Sequence, residues 1–216
     1  LKEVLHFKIN IYEILKFSLP WMLQPMLMPF AGNIIGRYLV SGFDLGYISS
    51  INYASKILNA MNTFTFSVIL VGFMDSLNLS KNITEIKNKI KVSLIRIIFS
   101  TIPITIFCCL YSQQIISIIF ERGSFDSVST QLTASAFYIF TLTLFPSVFY
   151  GYMSRIIGTV IGNKQLYILI LLQFLSYILF MFIFLNNFQG SVMPIGRLFS
   201  AVLCFFVIIV IFARKI

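Results

Sequence analysis

The sequence predicts an all-α polytopic membrane protein, a bundle of about six transmembrane helices, and two observations carry that reading. Of its 216 residues, 58% are hydrophobic and 11% charged, with a mean hydropathy of +0.93; a soluble domain carries about 25% charged residues. The apolar residues also gather in about six long runs, each close to or above the roughly 20 residues that a spanning helix needs. Strands do not fit. A membrane barrel alternates polar and apolar residues over about ten positions, whereas these runs are continuous and rich in Leu, Ile and Phe.

The first run, about 14–40, contains Pro20, Pro25 and Pro29. Each proline removes a backbone donor, so this helix is expected to kink or locally unwind. Gly32 and Gly36 form a small-xxx-small pair suited to close helix contact. The second run, about 47–77, holds Lys56 near its middle and Asp75 near its inner end, where a capping or interfacial role suits the carboxylate. The third, about 92–111, follows a segment 85–96 in which Lys87, Lys91 and Arg96 interleave with Ile86, Ile90 and Leu94. That pattern predicts an interfacial amphipathic helix running into the span. Residues 113–120 are a second short candidate on the outer face. The fourth run is about 127–161, with Gly158 and Gly162 as another small-residue pair at its end; the fifth and sixth are about 166–185 and 192–212.

Cation placement sets the expected orientation. Lys2, Lys8 and Lys16, then Lys81, Lys87, Lys89 and Lys91, then Lys164, and finally Arg214 and Lys215 fall on one side, against chiefly Arg122 on the other. The positive-inside rule then assigns both ends of the chain to the cytoplasm, in agreement with an even number of crossings. The net charge of +9 is accounted for by topology and anionic lipid, with no nucleic-acid partner implied. On the cytoplasmic side, the glycosylation-like Asn78-Leu79-Ser80 and Asn82-Ile83-Thr84 carry no meaning. His6, among Lys2, Glu3 and Lys8, reads as solvated or interfacial. The chain starts at Leu1 with no signal-peptide pattern, so it reads as part of something longer.

Enzymatic chemistry is not expected, and no cofactor is implied. There is no nucleotide-binding glycine loop, no carboxylate pair in a span and no Ser/His/Asp set, and Cys108, Cys109 and Cys204 sit in apolar runs without metal-ligand spacing. The informative residues are cations and amides. A charge at bilayer depth costs roughly 2.5–3.5 kcal/mol even on the lenient insertion scale, so Lys56 is expected to face a polar passage. Ser49, Asn52, Asn59 and Thr63 stand at i−7, i−4, i+3 and i+7 from Lys56, on one helical stripe. Asn33 and Arg37 lie one turn apart on the first span. These seven residues are the candidate binding set, and their chemistry suits an anion: Arg forks onto phosphate and Lys supplies a mobile point charge. Arg37 is close enough to the predicted outer end either to line the passage or to snorkel to head groups. Arg197, near the outer end of its span, and Arg155, near the inner end of its own, read as head-group anchors.

Tyr53-Ala54-Ser55-Lys56, preceded by Gly46 and Ile51-Asn52, resembles the Tyr-Ala-x-Arg/Lys signature in the eighth helix of the MurJ/MviN lipid II flippases, within the multidrug/oligosaccharidyl-lipid/polysaccharide exporter superfamily. Phe120-Glu121-Arg122-Gly123-Ser124-Phe125 is similar to the Phe-Glu-Arg-Gly-x-Phe segment between that family's ninth and tenth helices, and Tyr150 and the Gly162-Asn163-Lys164 turn follow in order. The resemblance implies that the six spans correspond to helices seven to twelve of a fourteen-helix, two-lobed transporter of the cytoplasmic membrane. It also implies a polyprenyl-diphosphate-linked sugar as cargo, alternating access as mechanism, and a second lobe or partner chain to complete the cavity. The family's essential cation in the eighth helix falls on Lys56, where Lys keeps the charge of the commoner Arg without its fork. Two departures stand out. Asp75 occupies a place where the family usually has Pro, and the first and fifth spans lack the carboxylates through which some members are thought to bind sodium, so a membrane potential or protons become the alternatives. A related flippase for exopolysaccharide or O-antigen precursors would use the same cations, and a non-transporting scaffold is the reading from another class.

Overall fold

The computed structural model describes residues 11–43, 46–78 and 83–215, and within those helices it leaves undescribed the side chains of 11–14, 16–17, 66, 68–87, 160–161 and 213–215. Expectations for Lys2, His6, Lys8 and the 79–82 part of the glycosylation-like motifs lie outside the described residues, as do those for the side chains of Asp75, Ile86 and Lys87. Among the described residues every regular element is helical: α1 (Ile11–Phe30), a π-helical turn (Ala31–Gly36), α2 (Arg37–Val40), α3 (Tyr47–Asn78) and α4 (Ile83–Leu110). After these come α5 (Ser112–Phe120), α6 (Ser127–Leu142), α7 (Leu144–Ile156), a second π-helical turn (Ile157–Ile161), α8 (Asn163–Phe188), a 3-10 turn (Gln189–Ser191) and α9 (Val192–Lys215).

Among the described residues two helical stretches, and a third counting one bent pair, have the length and composition of membrane spans. Asn88–Leu110, and Asn163–Phe212 comprising α8, its turn and α9, are long and apolar enough to cross a membrane, and α6 with α7 passes as a pair bent by 41°. The bend falls at Thr143, whose hydroxyl donates to the Phe140 carbonyl at 2.6 Å. Pro146 follows in the first turn of α7, where its missing N–H costs no helical bond. Exposed Ile168, Leu171, Leu175, Leu179, Phe182 and Ile183 recur at helical spacing along α8, which makes that face the lipid-facing one.

The α6–α7 pair is the centre of the bundle. Phe137, Leu144, Val148, Tyr152 and Ile156 from it are buried with Leu58 of α3, Ile97 of α4 and Cys204 and Ile208 of α9. α8 packs along α9, and α1 packs on α8. Small residues set the close approaches. A Cβ at Gly158 would lie 2.6 Å from Trp21 Cζ2, so the indole of α1 rests on the backbone of the second π-helical turn. Gly162 has φ +123°, a conformation that only glycine adopts without strain, and it separates that turn from α8.

α1 keeps its helix through Pro20, Pro25 and Pro29, then widens into the π-helical turn. Pro25 and Pro29 donate nothing, so the carbonyls of Trp21 and Pro25 lose their usual partners four residues on. Such interruptions are tolerated at membrane depth where they face protein or a cavity.

The turn after α5 explains each residue of the Phe-Glu-Arg-Gly-x-Phe motif. Phe120 and Phe125 pack on Tyr53 of α3, with ring centroids 5.0 and 5.6 Å away. Glu121 Oε2 accepts from the Thr130 hydroxyl at 3.2 Å, and Arg122 Nη2 donates to the Ile119 carbonyl at 3.1 Å, closing the end of α5. Gly123 takes φ +63°. Asp126 caps α6 by accepting from the Ser129 N–H at 2.9 Å, and the Ser129 backbone and hydroxyl bonds hold its carboxyl below the ordinary carboxylate range. A depressed folded value means that the cap stabilises fully above the unfolded carboxylate pKa of about 3.9 and is lost as pH falls through the folded value. Asp126→Asn keeps a capping oxygen and is expected to remove this acid sensitivity, read as a flatter unfolding midpoint across that pH interval.

Candidate functional site

Arg37 opens α2 directly after the π-helical turn, which carries Asn33. Its Nη2 donates to Asn33 Oδ1 at 3.3 Å and to Asn52 Oδ1 of α3 at 2.8 Å. One guanidinium thus ties the first span, just past its π-helical turn, to the helix that carries Lys56. The remaining N–H groups of Arg37, an exposed residue, point to no carboxylate among the described residues.

Beneath this cluster lies a cavity of about 220 Å³. Asn33, Asn52, Ser55 and Asn59 give it an amide and hydroxyl wall, and Phe140, Tyr177, Met193 and Arg197 form the opposite side. Of the sequence-predicted set, Asn33, Asn52 and Asn59 line this cavity, while Arg37 joins it through its bonds to two of them. Ser49, Lys56 and Thr63 are exposed on the adjoining strip of α3 and do not line it. The Lys56 ammonium stands 5.6 Å from the centroid of the Tyr53 ring, a cation–π distance, and Tyr53 is in turn held by Phe120 and Phe125. Thr63 spends its hydroxyl locally, donating to the Asn59 carbonyl at 2.8 Å. The face is therefore a cationic rim, Arg37 and Lys56, above an amide-lined hollow.

A second cavity, of about 420 Å³, lies between α1, α7, α8 and α9 and contains both Arg155 and Arg197. Met28, Pro29 and Arg197 line both hollows, so the two adjoin. The anchor reading of these arginines thus gives way to a cavity-lining one. Span position reports depth in the membrane, but it does not report which way a residue faces in the packed bundle. Arg197 shared with Lys56 the signal of a cation within an apolar run; Tyr177 and Ser55 gave none.

Among the described residues neither cavity has a carboxylate in its lining. Among the described side chains the carboxylates are Glu121 and Asp126, both in the α5–α6 turn, and no group of three or more His, Cys, Asp or Glu could hold a metal. Cations and amides without carboxylates favour an anionic ligand carrying several oxygens.

Residues 2–216 match the family model described as MurJ, Lipid II flippase MurJ. Over 115 residues, 51% of this chain and 21% of the relative, the chain is 32% identical to a Rhizobium tropici protein named "Probable lipid II flippase MurJ". Its fold matches the solved structure titled "Lipid II flippase MurJ, inward closed conformation" with a TM-score of 0.76, at 20% identity, over 97% of this chain and 45% of that one. The chain spans less than half the length of the proteins it matches.

Proposed function

This chain belongs to the MurJ family, and on that premise we propose that it supplies one lobe of a flippase that carries lipid II, an undecaprenyl-diphosphate-linked peptidoglycan precursor, across the cytoplasmic membrane by alternating access. The observation that carries the reading is the Asn33–Arg37–Asn52 cluster beside exposed Lys56, a cationic rim with no carboxylate paired to it among the described residues. Arg37 and Lys56 take the two phosphates, and the amides of Asn52 and Asn59 orient the oxygens that remain. The opposing wall comes from a second lobe or a partner chain. With both ends on the cytoplasmic side, as the Lys and Arg placement favours, the α3 rim receives the diphosphate that enters from the inner leaflet, and the π-helical turn after the proline-rich α1 supplies the element that changes shape.

Photo-crosslinking tests the placement. A photoreactive residue at position 59 of the full chain is expected to capture a radiolabelled undecaprenyl diphosphate, with capture competed by excess unlabelled lipid. The same residue at position 183, on the lipid-facing side of α8, is expected to give only uncompeted background. Equal, uncompeted capture at both positions would contradict the proposal.

A further inference from the structure

The cavity between α1, α7, α8 and α9 adjoins the hollow beneath the rim through Met28, Pro29 and Arg197, but neither Lys56 nor Arg37 is in its lining. We propose that it is a second anion site, built to take a phosphate group with Arg197 as its principal ligand. At about 420 Å³ it falls within the roughly 300–1,000 Å³ of small-ligand cavities. Arg197 is partly buried just over one turn into α9, and its guanidinium lies over the Phe140 ring at 5.7 Å from the centroid. A guanidinium carries five N–H donors and no acceptor, and among the described residues those of Arg197 meet neither a carboxylate nor a hydrogen-bonding oxygen. Arg155 adds a second positive charge to the same lining.

The remaining polar lining can donate. The side-chain amides of Gln24 and Gln173 face the cavity without a protein hydrogen-bond partner among the described residues, and Ser147 adds a hydroxyl. Along α7, Ser147 and Arg155 are two turns apart, about 12 Å of rise, and both line the hollow, so its polar groups are spread over a length that suits a phosphate together with part of what it is attached to. The Arg197 guanidinium stands partly buried among apolar groups, where a bound anion offsets the cost of taking its charge out of water. Apolar walls from Met28, Pro29 and Ala201 strengthen each bond by excluding water. The ligand is a phosphate group, free or at the head of a phospholipid.

Trp21 lines this cavity and is the sequence's single tryptophan, which supplies a reporter. The full chain is titrated in detergent with sodium phosphate at constant ionic strength, and separately reconstituted in phosphatidylcholine nanodiscs with increasing phosphatidic acid, while Trp21 fluorescence is followed. A saturable change is expected in at least one arm. The detergent arm identifies free phosphate as the source and the nanodisc arm a lipid head group. Arg197→Gln is expected to weaken the response roughly ten- to hundredfold, and Gln173→Leu, which keeps every charge, is expected to weaken it less. A response lost in Lys56→Gln and kept in Arg197→Gln places the signal at the rim and overturns the proposal, so that failure of this site and failure of the rim are read separately. The absence of a saturable change in both arms overturns the proposal, as does an undiminished response in both Arg197→Gln and Gln173→Leu.

Discussion

Replacing Lys56 by Ala in the full-length protein abolishes complementation of a strain depleted of its own lipid II flippase, and Lys56→Arg restores it. Truncation to Ala removes the ammonium from the rim and leaves Arg37 alone to hold a diphosphate. A hydrogen bond to a charged group contributes enough that its loss weakens binding roughly ten- to hundredfold. Because Lys56 is exposed and stands over the Tyr53 ring, the Ala variant is expected to fold and insert normally, which membrane abundance checks. Arg retains the charge and adds a planar fork, so it meets the same phosphate oxygens from the same helix position. Full complementation by Lys56→Ala would remove the rim from the mechanism.

Gly190→Ala produces the largest loss of stability expected from adding a single methyl group. Gly190 is buried in the turn between α8 and α9, and a Cβ there would fall inside contact distance of the Tyr47 ring, meeting Cδ1 and Cγ. Tyr47 is the first residue of α3, so the methyl would push the start of the Lys56 helix off the α8–α9 hairpin. Overpacking of this kind costs about 1–3 kcal/mol. Gly42→Ala, which meets nothing within 4 Å, is the matched control and is expected to stay within about 0.5 kcal/mol of the parent. The contact is confirmed if Tyr47→Ala, combined with Gly190→Ala, costs less than the sum of the two single changes in thermal unfolding of the purified chain.

The sequence carried much of this because the membrane makes composition decisive. Long apolar runs with few charges admit helices and little else, so the all-α membrane class was legible from hydropathy alone. Pro20, Pro25 and Pro29 flagged a first span that is interrupted, and the structure adds the π-helical turn that follows them. The bend at Thr143 was not legible within the run 127–161, because Pro146 sits in a first turn where a proline leaves no distinctive gap.

The site divides in the same way. Spacing of four and seven residues grouped Ser49, Asn52, Lys56, Asn59 and Thr63 on one side of α3, but no periodicity within a helix reports a partner on another helix. The Arg37 to Asn52 bond joins residues separated by the undescribed part of a turn, and it depends on how α2 meets α3. The division of the stripe has a physical reason. A cavity wall spans about a third of a helix circumference, so Asn52 and Asn59 line the hollow while Lys56 stands beside them on its rim. Arg155 and Arg197 lie far apart in sequence near opposite ends of their spans, and only the packing of α7 against α9 brings both to one cavity.

The central claim is that Arg37 and Lys56 together hold the diphosphate. Native mass spectrometry of the full chain titrated with undecaprenyl diphosphate, comparing wild type with the Arg37→Gln/Lys56→Gln double variant, measures that directly. The account predicts saturable binding by wild type and at least a roughly hundredfold weaker interaction for the double variant. Equal binding by both would contradict it.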